Sequence, residues 1–485
     1  MPVRVRALLA ALIVVTVAAA AALLVGYRSG VLAGQSGIDV ATTGDVGDLF
    51  GTNQPSGPQL AGVALRRLEV AYYMPVEPQT PISGEATTLR DYLRAKKISN
   101  PSLPAESANG DVNQDAARAA DLLAFAQSHY GSRLGSQGSS DLTEAALRGI
   151  MDSVKDPYTV YLSPREIQGL NETLDGGNFG GIGVYIYQLR DGRIVVQPIQ
   201  DMPAARAGMK PGEVVDTVGG KSVRSVPLDR VEQMIRGVAG TTVRLTTHPY
   251  NGSASHERTY DIVREVIHVP TVRQKMENGF DYIRLSDFGT TSGDEVRKAL
   301  LEGQAKGAKG YILDLRDNGG GLLDAAVQIS SLFIPQGTIV STIRRDGSRT
   351  TDDALGTAIP GLRPLVILVN KYTASASEIT SGALQDYHLA TLIGTRTFGK
   401  GVVQSIYPLA GSPLAGATLP GDGALKITTA RYVTPAGRDI QHKGIEPDIV
   451  VNQDPDPSII DTPADKQLAA AKARLRSLTA STATR

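Results

Sequence analysis

The chain of 485 residues contains no cysteine. It therefore has no disulfide, no zinc-thiolate site, no iron-sulfur cluster and no cysteine nucleophile. It also lacks an excess of either charge, because 49 Lys and Arg residues balance 49 Asp and Glu residues. A neutral chain has no overall basic field to hold a phosphate backbone, which argues against nucleic acid as a partner. Any covalent catalysis must use a residue other than cysteine.

The overall composition is that of a globular protein. Hydrophobic residues make up 41% of the chain and charged residues 20%, which excludes wholesale disorder, collagen and a multi-pass membrane protein. At roughly 150 residues per domain, the length predicts about three folding units.

One long apolar run lies close to the amino terminus. Residues 7–26 carry no charge and follow Arg4 and Arg6. A helix that spans a bilayer needs about 17–25 residues, and basic residues before it favour an amino terminus in the cytoplasm. We therefore predict a single-pass membrane anchor within residues 1–33, with the remaining chain outside the cytoplasm, in a bacterial envelope or periplasm. The alternative is a cleaved signal segment ending near Ala33, which would give a secreted protein.

The next part of the chain changes from linker to helices. Residues 34–60 are rich in Gly, Ser, Thr, Gln and Pro, which is typical of a flexible linker. Residues 61–175 predict a helical N-terminal region. Within it, an excess of Pro, Ser, Gly and Asn predicts a loop insertion at 75–113.

Strands dominate the rest of the sequence. Residues 176–266 contain short strands and two helices, which predict a compact, partly open β-barrel. Strands alternate with helices over 267–455, which indicates a layered α/β core. Residues 456–485 are left as a C-terminal tail. The predicted fold class is α+β multidomain.

A loop of small residues follows a strand of the core. The apolar run at 364–369 is expected to be buried on both faces of a sheet. Thr-Ala-Ser-Ala-Ser-Glu at 373–378 then opens a helix, so a hydroxyl there lies near the positive end of the helix dipole, beside free backbone N–H groups. Ser375 and Ser377 are the candidate nucleophiles. Taken alone, such serines more often cap the helix.

A serine nucleophile needs a base, and Lys400 is the candidate. None of the six histidines has a local setting that indicates a Ser-His-Asp triad. A lysine serves when burial lowers its pKa from ~10.4 towards 7–8. Lys400 lies among glycines and apolar residues, although a solvated surface lysine is the alternative. Residues 394–400 also have the spacing of a phosphate-binding loop, but Gly401 stands where that loop needs Ser or Thr.

Several motifs together identify a family resemblance. The chain resembles the carboxy-terminal processing (tail-specific) serine peptidases, which carry an internal PDZ domain. The motifs that carry the resemblance are Asp-Pro-Tyr-Thr-Val-Tyr-Leu at 156–162, the PDZ-like segment at 202–220, Asp-Leu-Arg-Asp-Asn-Gly-Gly-Gly at 314–321, 373–378, Phe-Gly-Lys-Gly-Val-Val-Gln at 398–404, and His-Lys-Gly-Ile-Glu-Pro-Asp at 442–448. The match spans residues from about 145 to 450.

The resemblance implies roles for residues of the core. Ser375 is similar to the nucleophile of the family, Lys400 to the general base of its Ser-Lys dyad, and Gln404 to the residue that orients the lysine. The spacing to Lys400 favours Ser375 over Ser377. The oxyanion donors implied are the N–H groups of Ala376 and Gly320, with Gly319 and Gly321 as alternatives to Gly320. The core is expected to resemble those of crotonase and Clp protease.

The resemblance also implies how substrates are chosen. Ile182, Gly183 and Val184 are expected to hold the free carboxylate of a peptide that adds to the PDZ domain as a strand. Arg236 matches a residue that reports ligand occupancy to the catalytic glutamine, although a charge at a helix end is the simpler interpretation. Asp386 matches a position linked to activity in some members, and we interpret it as structural.

The predicted function is a serine endopeptidase that acts on proteins and peptides with free C-termini. It needs no metal and no cofactor, and it is a possible homo-oligomer. Two alternatives remain: a catalytically inactive PDZ scaffold that binds peptides, and a crotonase-like hydrolase acting on acyl-CoA. The presence of both Ser375 and Lys400 argues against the scaffold. The inserted PDZ domain and the export segment argue against the acyl-CoA enzyme.

Overall fold

The computed structural model describes residues 57–164, 166–167, 179–189, 191–250, 256–267, 270–362, 364–409, 423–453 and 459–483. The predicted anchor, and the predicted linker up to residue 56, lie outside the described residues. No helix in the described ranges is both long enough and apolar enough to cross a membrane. The chain divides into two compact units, one formed by residues 1–170 with 271–485 and the other by residues 171–270.

The helices are α1 (Gln59–Ala71), α2 (Gln79–Ala95), α3 (Val112–Tyr130), α4 (Gly138–Asp152), α5 (Pro203–Arg206), α6 (Leu228–Ile235), α7 (Ser292–Ala305), α8 (Leu323–Ser331), α9 (Ala376–Asp386) and α10 (Lys466–Ala483). The strands are β1 (Val160–Leu162), β2 (Phe179–Gly181), β3 (Val184–Gln188), β4 (Ile194–Pro198), β5 (Glu213–Val218), β6 (Lys221–Ser222), β7 (Thr242–Pro249), β8 (Arg258–Val263), β9 (Glu265–Ile267), β10 (Val272–Glu277), β11 (Phe280–Leu285), β12 (Tyr311–Asp314), β13 (Thr338–Arg344), β14 (Arg349–Asp353), β15 (Leu365–Val369), β16 (Ala390–Gly394), β17 (Val402–Pro408), β18 (Ala424–Val433) and β19 (Ile449–Val450).

The predicted loop insertion at 75–113 is wrong in its first half, where α2 forms a helix of 17 residues. Its apolar residues recur at helical spacing and are buried: Ile82, Ala86, Leu89 and Leu93. The small residues that suggested a loop serve helix packing instead. A Cβ built on Gly84 would lie 2.4 Å from the carbonyl oxygen of Gly149 in α4, so glycine permits the two backbones to approach closely.

The core of the larger unit contains a six-stranded sheet in the order β10-β11-β12-β15-β16-β19. β10 is antiparallel to β11, and the other neighbours are parallel. Every residue of β15 is buried, as expected for a strand covered on both faces. Because the parallel strands end at one edge, the loops after β11, β12, β15 and β16 meet there.

A second sheet has the order β1-β18-β13-β14, with β17 also paired to β18. Side chains alternate between the two faces of β18. Leu425 and Ile427 lie on one face and pack in the same hydrophobic cluster as the N-terminal helices. The other face carries Lys426 and Thr428, and a bulge after Thr428 changes the alternation before Tyr432.

The segment predicted as a tail contains α10, which belongs to the core. Leu468, Ala471 and Leu475 are buried in one cluster with residues of the six-stranded sheet. The buried guanidinium of Arg316 pairs with Asp465 at 2.8 Å and with Asp314 at 2.6 Å. Apolar burial and this ion pair therefore join the end of the chain to the strand that leads into the glycine loop.

The smaller unit, residues 171–270, agrees closely with the predicted 176–266. Its main sheet has the order β3-β4-β5-β7-β8, with β6 paired to β5, and β2 pairs with β9. Its core is formed by side chains from both the sheet and α6, including Val196, Leu245 and Val231. Among the described strands β3 pairs only with β4, so its other edge is open to a further strand.

Candidate active site

Ser375 lies in the loop after β15, immediately before α9. Its φ is 60° and its ψ is −119°, a strained conformation for a residue with a side chain, which costs about 1–3 kcal/mol. Its side chain is fully buried, and its Oγ has no hydrogen-bond partner among the described residues. Strain at a buried, unpartnered hydroxyl is typical of a functional residue.

The other candidate nucleophile, Ser377, already forms a hydrogen bond. Ser377 is buried and its Oγ donates to the carbonyl oxygen of Asn318 at 3.0 Å. Ser377 therefore acts as a link between α9 and the glycine loop. The difference between the two hydroxyls favours Ser375 as the nucleophile.

Lys400 lies in the loop between β16 and β17 and is only 1% exposed. Its Nζ lies 4.4 Å from the centre of the Tyr158 ring and has no hydrogen-bond partner among the described residues. Burial and, to a smaller extent, the charge of Lys426 lower the pKa of Lys400 to about 7, against the opposite effect of Asp156 and Glu378. The solvated surface lysine considered above does not fit this environment, because a buried amine near its pKa is able to take a proton at neutral pH.

Two further residues fix the backbones of Ser375 and Lys400 together. Glu378 Oε2 accepts the N–H groups of both residues, each at 2.9 Å, and its Oε1 accepts the N–H of Gly399 at 2.8 Å. The hydroxyl of Tyr432 lies 3.1 Å from the carbonyl oxygen of Ser375 and donates to that of Lys400 at 2.6 Å. Both linking side chains are fully buried.

Gln404 lies on β17, buried, opposite Thr428 of β18. Its Nε2 donates a weak hydrogen bond to Thr428 Oγ1 at 3.4 Å, and its Oε1 has no partner among the described residues. Thr428 in turn donates to Asp156. Since Ser375 Oγ, Lys400 Nζ and Gln404 Oε1 each lack a partner, none of the three is hydrogen-bonded to another in this structure. Catalytic hydrogen bonds are often long in a free enzyme and tighten when substrate binds.

The N–H of Ala376 is available for an oxyanion. Ala376 is the first residue of α9, where a helix has no internal acceptor for its N–H groups, and none is found for it among the described residues. The glycine loop lies directly against it. A Cβ built on Gly320 would be 2.8 Å from Ala376 N and 2.7 Å from Ser375 Cβ, so only glycine fits at this position.

The second predicted donor, Gly320, is occupied in this structure. Its N–H donates to Asn318 Oδ1 at 2.8 Å. The N–H groups of Gly319 and Gly321 have no acceptor among the described residues. An oxyanion would therefore receive its second hydrogen bond from Gly319 or Gly321, or from Gly320 after the bond to Asn318 breaks.

The predicted peptide-binding residues form the entry to β3 in the smaller unit. The carbonyl oxygens of Ile182 and Gly183 accept hydrogen bonds from Ala204 and Ile199 at 2.8 and 2.9 Å. Their N–H groups have no acceptor within the described ranges, and the φ of Gly183 is 69°. Val184 begins the open-edged strand. Free amides beside an open edge are what an added strand with a terminal carboxylate requires.

Arg236 and Asp386 both lie at helix ends. Arg236 follows α6 and forms an ion pair with Glu232, one turn earlier in the same helix. Asp386 ends α9, where it accepts the N–H of Ala436 at 2.9 Å and pairs with Arg438. These contacts support the structural interpretation of Asp386. In the part of the chain that the structure describes, no cluster of His, Asp and Glu side chains is arranged to hold a metal ion.

The sequence motifs did not identify several residues of the site. Glu378 is the final residue of the 373–378 motif, so its position was visible but its role was not. Tyr158 is likewise inside the motif at 156–162. Lys426 and Tyr432 lie on β18, far from the other site residues in sequence, and only the pairing of β17 with β18 brings them close.

Two family models match the chain. The model of peptidase family S41 matches residues 280–451, and a PDZ domain model matches residues 194–247. The first includes the glycine loop, Ser375, Lys400 and Gln404. The second includes β4, β5, β6 and most of β7 of the smaller unit.

The chain also has characterised relatives. It is 38% identical over 317 residues to a carboxy-terminal-processing protease of Bartonella bacilliformis, covering 64% of this chain and 70% of that protein. It is 37% identical over 320 residues to a probable CtpA-like serine protease of Staphylococcus aureus, covering 65% of this chain and 61% of that protein. The solved photosystem II D1 C-terminal processing protease is 26% identical, with a TM-score of 0.45, and the match covers 85% of this chain and 100% of that one. Because that superposition is loose, the sequence relatives carry the assignment.

Proposed function

The chain belongs to peptidase family S41 and is a serine peptidase with a PDZ domain, and we propose that it cleaves proteins near their free C-termini through Ser375 and Lys400. The observation that carries the proposal is that three buried polar atoms, Ser375 Oγ, Lys400 Nζ and Gln404 Oε1, have no hydrogen-bond partner among the described residues. Buried polar groups are almost always paired. A hydroxyl, an amine of lowered pKa and an amide oxygen left unpaired together match the needs of a nucleophile, a base and an orienting group.

The proposed reaction is acyl transfer. Neutral Lys400 takes the proton of Ser375 Oγ as the oxygen attacks a peptide carbonyl carbon. The resulting lysine ammonium returns a proton to the leaving amine, so the C–N bond breaks and an ester to Ser375 remains. Water then attacks the ester as Lys400 takes a proton from it, the bond between the carbonyl carbon and Ser375 Oγ breaks, and Lys400 returns the proton to Oγ, which releases the new carboxyl end of the substrate. Gln404 Oε1 is placed in this scheme to accept a hydrogen bond from the lysine and so orient it.

The oxyanion of the tetrahedral intermediate needs two N–H donors. Ala376 supplies one. For the second, the three adjacent glycines offer more than one N–H beside the nucleophile, and the bond from Gly320 to Asn318 describes a resting arrangement in which that particular donor is engaged. Substrate binding would then include a local adjustment of the glycine loop.

The PDZ domain is proposed to select substrates by their carboxyl end. The free N–H groups of Ile182 and Gly183 would bind the terminal carboxylate, and the open edge of β3 would pair with the preceding residues. Each charge-assisted hydrogen bond of this kind is worth about 1.5–3 kcal/mol. Recognition and cleavage would therefore use separate parts of the same polypeptide substrate.

The test compares two peptides of identical sequence, one with a free and one with an amidated C-terminus. We expect the parent to cleave the free peptide and to lose at least about tenfold in rate with the amidated one. Ser375→Ala should abolish cleavage of both with a nearly unchanged melting temperature, and Lys400→Ala should abolish cleavage of both, while Ser377→Ala should retain cleavage as the matched control. Equal cleavage of the two peptides would refute carboxylate recognition, and full activity of Ser375→Ala would refute the nucleophile.

We further propose that residues 1–33 attach the protein to a membrane, with the peptidase outside the cytoplasm of a bacterial cell. The charge-free run at 7–26 and the two arginines before it support this orientation. Protease added to intact spheroplasts should degrade the body of the protein, and the protein should sediment with membranes. Protection from external protease would refute the orientation, and recovery in the medium would indicate a cleaved signal.

A further inference from the structure

A second lysine of the site is buried without a charge partner. Lys426, on β18, is 8% exposed. Burial lowers its pKa to about 8, and the nearby charge of Asp156 opposes that shift. Within the described ranges no carboxylate forms an ion pair with it and no acceptor binds its Nζ. A buried, unpaired charge destabilises a protein. The burial of Lys426 in the site of Lys400 therefore suggests that its charge has a function.

The geometry of β18 places Lys426 on the face that lines the active site. Alternate residues of a strand share a face, so Lys426 lies on the same side as Thr428, with Ile406 and Gln404 of β17 opposite them. Thr428 accepts a hydrogen bond from Gln404. Lys426 is therefore adjacent, on one face of the sheet, to a residue that contacts the proposed orienting glutamine.

The strands on each side of β18 agree with this placement. Lys426 is opposite Val160 of β1 and Ile406 of β17 in the strand register. Val160 follows two residues after Tyr158, whose ring lies under Lys400 Nζ. Ile406 follows two residues after Gln404. Lys426 thus lies between the segment that covers the amine of Lys400 and the strand that carries its orienting glutamine.

The charged and titratable groups around Lys400 come from three elements. Asp156 and Tyr158 come from the segment before β1, Glu378 from α9, and Lys426 and Tyr432 from β18. Both carboxylates favour the protonated form of Lys400. The positive charge of Lys426 favours the neutral form of Lys400 and so opposes the carboxylates. At pH 7, one unit below its pKa of about 8, roughly nine-tenths of Lys426 is protonated. Its charge is therefore present over the pH range in which Lys400 titrates.

We propose that Lys426 is a positioning residue whose positive charge holds the general base Lys400 in its neutral, active form near neutral pH. Lys426 transfers no proton in this scheme and contacts neither the substrate nor Ser375. It acts through electrostatic repulsion, because two ammonium groups in a site of low polarity disfavour each other. The proposal rests on the Ser375 and Lys400 chemistry proposed above, and it adds the residue that sets the pH range of that chemistry.

The first experiment measures the titration of Lys400 directly and does not require turnover. The full chain is labelled with 13C at the lysine ε-carbons, and the Lys400 and Lys426 signals are assigned from Lys400→Met and Lys426→Met spectra. In Lys426→Met, which keeps the length and apolar stem of the side chain, we expect the pKa of Lys400 to rise by roughly half to one pH unit. Lys426→Arg keeps the charge and should retain the parental midpoint. Arg431→Gln removes a charge from an exposed position of β18 and is the matched control.

The second experiment follows kcat/KM for a susceptible peptide against pH. The acidic limb of the profile should move upward in Lys426→Met by the same amount as the Lys400 titration, and the rate at high pH should approach that of the parent. A structural defect would lower the rate at every pH and leave the midpoint in place. Lys426→Gln is a second uncharged variant and is measured in the same way. It provides the test if Lys426→Met does not fold.

The proposal is overturned if Lys400 titrates at the same pH in the parent and in the uncharged variants, whatever their activity. Failure of the proposed peptidase function would give a different result, seen in cleavage and not in the titration of Lys400. A chain that cleaves no peptide, or that cleaves it without Lys400, contradicts the peptidase mechanism but leaves the titration of Lys400 measurable, and that titration alone decides whether Lys426 shifts it.

Discussion

Ser375 and Lys400, separated by twenty-five residues in sequence, donate their backbone N–H groups to the same oxygen of Glu378. The proposed nucleophile and the proposed base belong to different loops, one after β15 and the other after β16. The shared carboxylate oxygen joins the two loops, and the hydroxyl of Tyr432 joins their carbonyl groups. The relative position of Ser375 and Lys400 is therefore fixed through their main chains, while Ser375 Oγ and Lys400 Nζ have no hydrogen-bond partner in the described part of the chain.

This link predicts the effect of Glu378→Gln. The Glu378 carboxylate accepts hydrogen bonds from three N–H groups and from the Thr397 hydroxyl. An amide of the same size would turn its NH2 group towards one or more of them and lose charge-assisted bonds of about 1.5–3 kcal/mol each. We expect kcat to fall by at least about tenfold, with a lower melting temperature.

The matched control for this variant is Glu446→Gln. Glu446 pairs with Arg396 on the surface, and surface ion pairs contribute little to stability. It should leave both kcat and the melting temperature close to those of the parent. Parental kcat in Glu378→Gln would mean that the two loops hold their positions without the carboxylate.

A second prediction concerns pH. Lys400 acts as a base only when neutral, so kcat/KM should rise as pH increases through about 7, the pKa to which burial and Lys426 lower it. A pH series of initial rates on one peptide, at constant ionic strength, measures the midpoint. A flat profile between pH 5.5 and 8.5 would contradict a lysine base with this pKa.

The same pKa predicts a pH-dependent stability. In the unfolded chain Lys400 binds its proton up to the ordinary lysine pKa of ~10.4, whereas in the folded protein it releases it near 7. The unfolded state holds more protons between these values, so this residue makes the free energy of unfolding increase with pH there. Lys400→Met should therefore melt above the parent at pH 6, and the difference should shrink between pH 7 and 10. A constant difference across this range would argue against the lowered pKa.

How far sequence alone could describe this protein is clearest at α2 and α10. The small residues of α2 suggested a loop, because such residues are common in loops. In the structure they permit close contact with α4, and this role depends on the tertiary structure, which the local sequence pattern does not show. The helix α10 lies beyond the family motifs, so nothing indicated that Leu468 and Leu475 would be buried against the sheet. The buried strand β15 was predicted, because a continuous apolar run marks it locally, whereas β18 was not predicted.

The site shows the same division. The motifs led to Ser375, Lys400 and Gln404, and the structure buries all three side chains. The bond between Gly320 and Asn318 required coordinates, since a glycine loop offers several N–H groups and the sequence does not say which are occupied. Lys426 and Tyr432 could not be predicted as site residues either, because the pairing of β18 with β17, which includes a bulge between the two residues, brings them to the site.

The peptide-binding nest gives a third prediction, tested by Gly183→Ala. The φ of Gly183 is 69°, and a Cβ there would lie 2.2 Å from the Cβ of Met202, so the backbone must move and the carboxylate donors with it. We expect binding of a free-carboxylate peptide to the full chain, measured by fluorescence anisotropy, to weaken by at least about tenfold. Gly192→Ala is the control, because Gly192 also has a positive φ but has open space around its Cα. Equal weakening in both variants would show that general destabilisation of the domain is responsible.

The last prediction concerns Arg236, which the family resemblance assigns to signalling that the PDZ domain is occupied. The structure offers a simpler role, because Arg236 pairs with Glu232 within one helix, and such a pair contributes only about 0.3–0.5 kcal/mol to stability.

If Arg236 acts only through that pair, Arg236→Ala and Glu232→Gln should behave alike and cleave at the parental rate. If it is a relay to Gln404, Arg236→Ala should bind peptide normally and melt within a few degrees of the parent, yet cleave at least about tenfold more slowly. Glu232→Gln, which keeps the guanidinium, should then retain activity. We expect the second pattern, and parental cleavage by Arg236→Ala would instead make the PDZ domain a passive tether.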